Sequence, residues 1–65
     1  MTLGEKIKEL RKEQKLTIKD LSEISKISAP TICNIEQGKR KPRLPVLQKL
    51  SVALKCSFDE LYELY

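Results

Sequence analysis

The chain has no histidine and no tryptophan, and its aromatic side chains are confined to Phe58, Tyr62 and Tyr65. Without histidine, no side chain titrates near neutrality in the ordinary way for general acid–base work, and no Cys–His or Ser–His pair exists. Two glycines cannot build a glycine-rich phosphate loop, and neither the HExxH nor the P-loop spacing occurs. Nine acidic residues are spread along the chain without a paired arrangement. Together these absences argue against an enzyme. Cys33 and Cys56 stand on separate elements and, with no histidine to join them, are too few to hold a structural zinc ion. They read as free thiols in a reducing compartment, and no metal or other cofactor is expected. The longest apolar runs are only a few residues, which excludes a membrane-spanning helix. The start, MTLGEKIKEL, is charged and amphipathic rather than a signal peptide, so the expected location is the cytoplasm.

What is present suits one small helical domain. Sixty-five residues, 40% apolar and 34% charged, allow a single core, and we read residues 1–65 as one all-α domain. Thirteen basic residues against nine acidic give a net charge of +4. The uneven distribution says more than the total. Lys39, Arg40, Lys41 and Arg43 crowd into one short loop and equal the whole net charge, whereas the segment after Cys56 carries acids and no base.

Apolar spacing and capping residues predict five helices. Thr2 with Glu5, Thr17 with Asp20 and Ser57 with Glu60 each have the spacing of a capping box. Leu3, Ile7 and Leu10 stripe the first helix. Leu21 and Ile24 give the second an apolar edge, Ser25-Lys26-Ile27 turns the chain, and Ser28 caps the third. In the third helix Ile32 and Ile35 form the buried edge, leaving Ala29, Pro30, Cys33 and Asn34 opposite. Gly38 ends it, with easy access to positive φ. Pro45 fits the first turn of a fourth helix whose apolar face is Val46, Leu47, Leu50, Ala53 and Leu54. Phe58, Leu61, Tyr62 and Leu64 belong to a fifth. The expected core is Leu3, Ile7, Leu10, Leu16, Leu21, Ile24, Ile27, Ile32, Ile35, Leu44, Leu47, Leu50, Leu54, Phe58 and Leu61.

Two short helices joined by a three-residue turn make a helix-turn-helix, whose second helix enters the DNA major groove. Here the chain resembles the helix-turn-helix domain of phage repressors and Cro. The residues that carry the likeness are Leu16-Thr17, Asp20-Leu21-Ser22, Ile27-Ser28, the spacing from Ile32 to Ile35-Glu36, and Gly38 with its basic loop. Leu47, Leu50, Ala53-Leu54 and Asp59-Glu60-Leu61 fall where that family has its closing helices, so the likeness spans roughly residues 3 to 62. It implies a partly buried ion pair between Arg11 and Glu36, and a basic loop lying against the DNA backbone. Three residues depart from the family pattern. Ile18 stands in place of a glutamine that would bond a phosphate, Lys26 in place of the turn glycine, and Ser22 in place of alanine where the helices meet.

The expected function is a sequence-specific regulator of transcription, a repressor or Cro-like protein, bound to a double-stranded operator. Its base-facing positions would be Ala29, Pro30, Thr31, Cys33 and Asn34. Ala29 and Pro30 offer only apolar contact, and Asn34, the one amide on the face, suits adenine. Backbone contacts are expected from Thr17, Ile18, Ser28, Lys39, Arg40, Lys41 and Arg43. Two-fold operators call for two-fold proteins, so a weak homodimer is expected through Cys56, Phe58, Leu61, Tyr62 and Tyr65, beside Leu64. No small-molecule ligand and no membrane partner is expected. The rival reading is a protein-interaction module on the same scaffold, using Ile18, Pro30 and Cys33 instead of DNA contacts.

Overall fold

A computed structural model describes all residues, 1–65. It contains five helices and no strand: α1 Leu3–Glu13, α2 Ile18–Ser25, α3 Ala29–Glu36, α4 Leu44–Ala53 and α5 Phe58–Tyr62. The helix starts follow the capping chemistry of the sequence. Thr2 accepts from the Glu5 amide while Glu5 accepts from the Thr2 amide, and Thr17 and Asp20 do the same. These amide bonds favour the charged carboxylates and hold Glu5 and Asp20 below their usual titration range. At Ser57 only half of the box forms. Its hydroxyl accepts from the Glu60 amide at 3.3 Å, but the Glu60 carboxylate does not reach back. Arg43 precedes α4 without a side-chain cap, and Pro45 in the first turn supplies the preset φ instead.

The core is Ile7, Leu21, Ile27, Ile32, Ile35, Leu47, Leu50, Ala53, Leu54 and Leu61. Helix α3 packs on α1 and α2, while α4 packs on α2 and α5. Leu3, Leu10 and Phe58 are only half-buried against this cluster, and Leu16 is half-buried too. Two expected core residues face solvent. Ile24 is 54% exposed, because the inward stripe of α2 runs through Ile18, Leu21 and Ser25, about a quarter turn away from it. Ser25 tolerates burial by donating its hydroxyl to the Leu21 carbonyl at 2.6 Å. Leu44 is 46% exposed as the first residue of α4, and the buried residue of that stretch is Pro42.

Three contacts outside the apolar core fix how the helices meet. Arg11 lies on the inner side of α1, where Nε donates to Glu36 Oε2 at 2.8 Å and Nη2 to Oε1 at 3.1 Å. Its Nη1 donates to the Leu16 carbonyl at 2.9 Å, so one guanidinium joins α1, the segment before α2 and the end of α3. The hydrogen bonds to Glu36 raise the Arg11 pKa further above its ordinary value. Gly4, at the start of α1, allows the same two helices to approach closely at the same end of α3. A Cβ there would stand 2.4 Å from the Ile35 carbonyl oxygen and 2.6 Å from that of Glu36. Gln14, just past α1, donates to the Leu54 carbonyl at the end of α4.

The paired side chains are 11% and 5% exposed, so removing one strands the other away from water. Glu36→Ala is expected to destabilise the fold by about 3 kcal/mol. Glu9→Ala, on the solvated face of α1, should change it by less than about 0.5 kcal/mol. Urea denaturation of the two variants side by side checks this; equal midpoints would show that the pair is dispensable.

Candidate nucleic-acid interface

The α2–α3 corner is built from short-range bonds. Helix α2 ends at Lys26, which adopts the left-handed conformation (φ 63°, ψ 29°). The Lys26 amide donates to the Ser22 carbonyl at 2.9 Å, and the Ser22 hydroxyl donates onward to the Ile27 carbonyl at 2.5 Å. Ser22 therefore ties the turn, a role that alanine could not fill. Ile27 is buried, and Ser28 then caps α3 by accepting from the Thr31 amide at 3.4 Å. The Ser28 and Thr31 hydroxyls share a further hydrogen bond of 2.7 Å.

Helix α3 buries Ile32 and Ile35 and turns the opposite face outward. Pro30 is exposed there, and Cys33 and Asn34 are half-buried. Ala29 and Thr31 lie at the flanks, both half-buried, and Thr31 is engaged with Ser28. One member of this face escaped the reading of the sequence. Gln37, the C-terminal cap of α3, is exposed and its amide donates to Cys33 Sγ at 3.3 Å. It stands four residues after Cys33 and seven after Pro30, which is the helical repeat of the same face. Asn34 is thus one of two amides here, not the sole one. The i, i+4, i+7 spacing from Pro30 through Asn34 leads to Gln37, the residue between the helix-turn-helix stretch and the Gly38 stop.

Thr17 and Ser28 stand exposed at the starts of α2 and α3. Ile18 is half-buried, packed in part against the core, so the apolar surface through Ile18, Pro30 and Cys33 is partly covered at its largest member. After α3 the chain turns at Gly38 (φ 77°) and enters the basic loop. Lys39, Arg40, Lys41 and Arg43 are all exposed, and none is in a salt bridge. Four unpaired cations therefore follow directly on the outward face of α3.

The C-terminal face differs from expectation at one residue. Leu61 is fully buried in the core and is not available to a second subunit. Phe58 and Cys56 are half-buried, and burial, with Glu60 nearby, pushes the Cys56 thiol up. Tyr62 and Tyr65 are 52% and 36% exposed. Phe58, Tyr62 and Tyr65 stack with ring centroids 5.6 and 5.7 Å apart.

A short two-helix corner, an outward helix face and a cation-rich loop directly after it make up a helix-turn-helix. A family model described as Helix-turn-helix matches residues 7–61, and the chain belongs to that family. It is 41% identical over 61 residues to the transcriptional repressor RghR of Bacillus subtilis, covering 92% of this chain and 45% of that protein. It is 39% identical over 54 residues to the immunity repressor of Bacillus phage phi105, covering 83% of this chain and 38% of that protein. The chain thus spans less than half the length of these two curated relatives. Among solved structures, the restriction-modification controller protein C.AhdI of Aeromonas hydrophila superposes with a TM-score of 0.88 at 29% identity, covering 91% of this chain and 89% of that one. No helix is long and apolar enough to cross a membrane.

The left-handed Lys26 gives this corner a measurable strain. A side chain in that conformation costs about 1–2 kcal/mol, partly offset by the greater freedom that glycine loses on folding. Lys26→Gly is expected to stabilise the domain by about 0.5–1 kcal/mol, read as a higher thermal midpoint. A lower midpoint would mean that the lysine charge at the end of α2 outweighs the strain.

Proposed function

We propose that this domain is a transcriptional regulator that binds a double-stranded DNA operator as a homodimer, with α3 in the major groove of each half-site. The observation that carries the reading is the continuity of the outward face of α3 with the four unpaired cations of the 39–43 loop. A groove-reading helix needs phosphate clamps beside it, because phosphate contacts supply most of the affinity and set the register. The helix starts add little to this: Pro30 has no amide, and the Asp20 and Thr31 amides are held by Thr17 and Ser28, which leaves the amides of Ile18, Lys19 and Ala29 for an anion. The names of the relatives, among them a phage immunity repressor and a restriction-modification controller, support a regulatory role.

Sequence would be read by a sparse set. Pro30 and Ala29 suit a thymine methyl, and Asn34 and Gln37 are the two side chains able to pair with adenine edges. The hydroxyl of Thr31 is held by Ser28, so its part is to brace the start of α3 and present its methyl. With so few polar readers, DNA shape between the half-sites would carry much of the specificity.

Selection from random duplex DNA tests the assignment. Wild type should enrich sites with A·T pairs in each half. Asn34→Ala and Gln37→Ala should each lose about 1–3 kcal/mol at one base position and relax the preference there. Identical preferences for all three proteins would remove both amides from the reading set.

The dimer is expected through the exposed edges of Tyr62 and Tyr65, with Phe58 and Cys56 behind them. Sedimentation should show a weak free dimer that tightens on a two-fold site, and Tyr62→Glu should leave a folded monomer. A wild-type monomer in both free and bound states would rule this association out.

A further inference from the structure

The basic loop is not held by its backbone alone. Lys41 Nζ lies 4.2 Å from the centroid of the Tyr65 ring. Tyr65 stacks on Tyr62 at 5.7 Å and 18°, and Tyr62 on Phe58 at 5.6 Å and 20°. Phe58 in turn is half-buried against the core. A continuous stack of rings therefore runs from the core to one cation of the loop. On the loop side, Pro42 is buried directly after Lys41. Lys39, Arg40 and Arg43 have no comparable aromatic or acidic partner.

We infer that Tyr65 is a positioning residue for Lys41, and that the aromatic stack of α5 sets one phosphate contact of the loop; this rests on the DNA-binding reading above. A lysine stem has four rotatable bonds, and freezing them at a phosphate costs about 1.5–2 kcal/mol of side-chain entropy for an untethered side chain. A ring face removes part of that cost in advance. It attracts the ammonium through its quadrupole but uses none of its N–H donors as a conventional hydrogen bond, so those donors remain for phosphate oxygens. The acidic residues that could compete for Lys41 make no salt bridge with it. Replacing the ring by an aliphatic side chain should therefore weaken binding to every DNA sequence alike. Replacing it by phenylalanine, which keeps a π face, should not.

Three readouts test this on the full chain with duplex DNA containing a single half-site, where the dimer proposed through Tyr62 and Tyr65 does not enter. In proton NMR of the free protein, the Lys41 ε-methylene resonances should be shifted upfield by the ring, remain so in Tyr65→Phe, and return to ordinary values in Tyr65→Leu. Tyr65→Leu should weaken DNA binding about two- to fivefold, with Tyr65→Phe close to wild type. In a Lys41→Ala background, which should itself flatten the salt dependence by about one unit, Tyr65→Leu should have no further effect. Tighter binding by Tyr65→Leu would show that the ring sequesters Lys41 from DNA, and overturns the inference. So would an undiminished Tyr65→Leu effect in the Lys41→Ala background, or unshifted ε-methylene resonances in the wild type. If the wild type bound no duplex at low salt, the DNA-binding reading and this inference would both fall. Wild-type binding that ignores Tyr65→Leu overturns the positioning role alone.

Discussion

The bidentate pair between Arg11 and Glu36 is the constraint on which the geometry of this small domain depends. Glu36 is the last residue of α3, and Arg11 belongs to α1, so the pair fixes the end of the outward-facing helix against the helix behind it. The third guanidinium nitrogen holds the Leu16 carbonyl, one residue before the cap of α2. One side chain thereby references both helices of the motif to α1. Gly4 lets the backbones close at the same end of α3, where any side chain would strike the Ile35 and Glu36 carbonyls. A buried ion pair is a weak source of net stability compared with apolar packing, but it tolerates little misplacement. In a domain whose task would be to present one helix at a fixed angle, that intolerance is useful.

Local chemistry was the legible part of the chain. Thr2, Thr17, Ser28 and Ser57 each cap a helix, and Gly38 and Lys26 take the positive φ that their positions suggested. Such signals depend on residues three or four apart, and the sequence contains them in full. The errors share a different origin. Leu21–Ile24 and Leu44–Leu47 have acceptable helical spacing, yet Ile24 and Leu44 are exposed, because the angle at which a neighbouring helix arrives decides which edge of a stripe is covered. Leu61, expected both in the core and at the subunit face, is core alone for the same reason. Gly4 gave no signal at all, since its role lies in a contact with residues more than thirty positions away.

At the candidate interface the legible and the hidden divide along the same line. The basic loop is visible as a run of charges, and the outward residues of α3 follow from Ile32 and Ile35 being inside. Gln37 was missed because the outward face was followed only as far as Asn34, although the helical repeat continues through it. That a ring from the last residue lies over Lys41 could not be read from spacing, because two turning segments separate them. The face itself is short of donors and acceptors. On the proposed reading, such an interface would lean on the shape and flexibility of its target more than on a list of base contacts.

The non-glycine residues at positive φ are Lys15, Lys26 and Lys55, and each follows the end of a helix. Glycine is the usual occupant of such corners, and this chain has only two glycines. A lysine there stores a fixed steric cost, but it leaves the unfolded chain with fewer conformations to surrender than a glycine would. The first quantity changes little with temperature, whereas the second enters multiplied by temperature. The handicap of lysine corners therefore narrows as the protein is warmed, and α1, α2 and α4 all close on hinges that compare best with glycine in the heat.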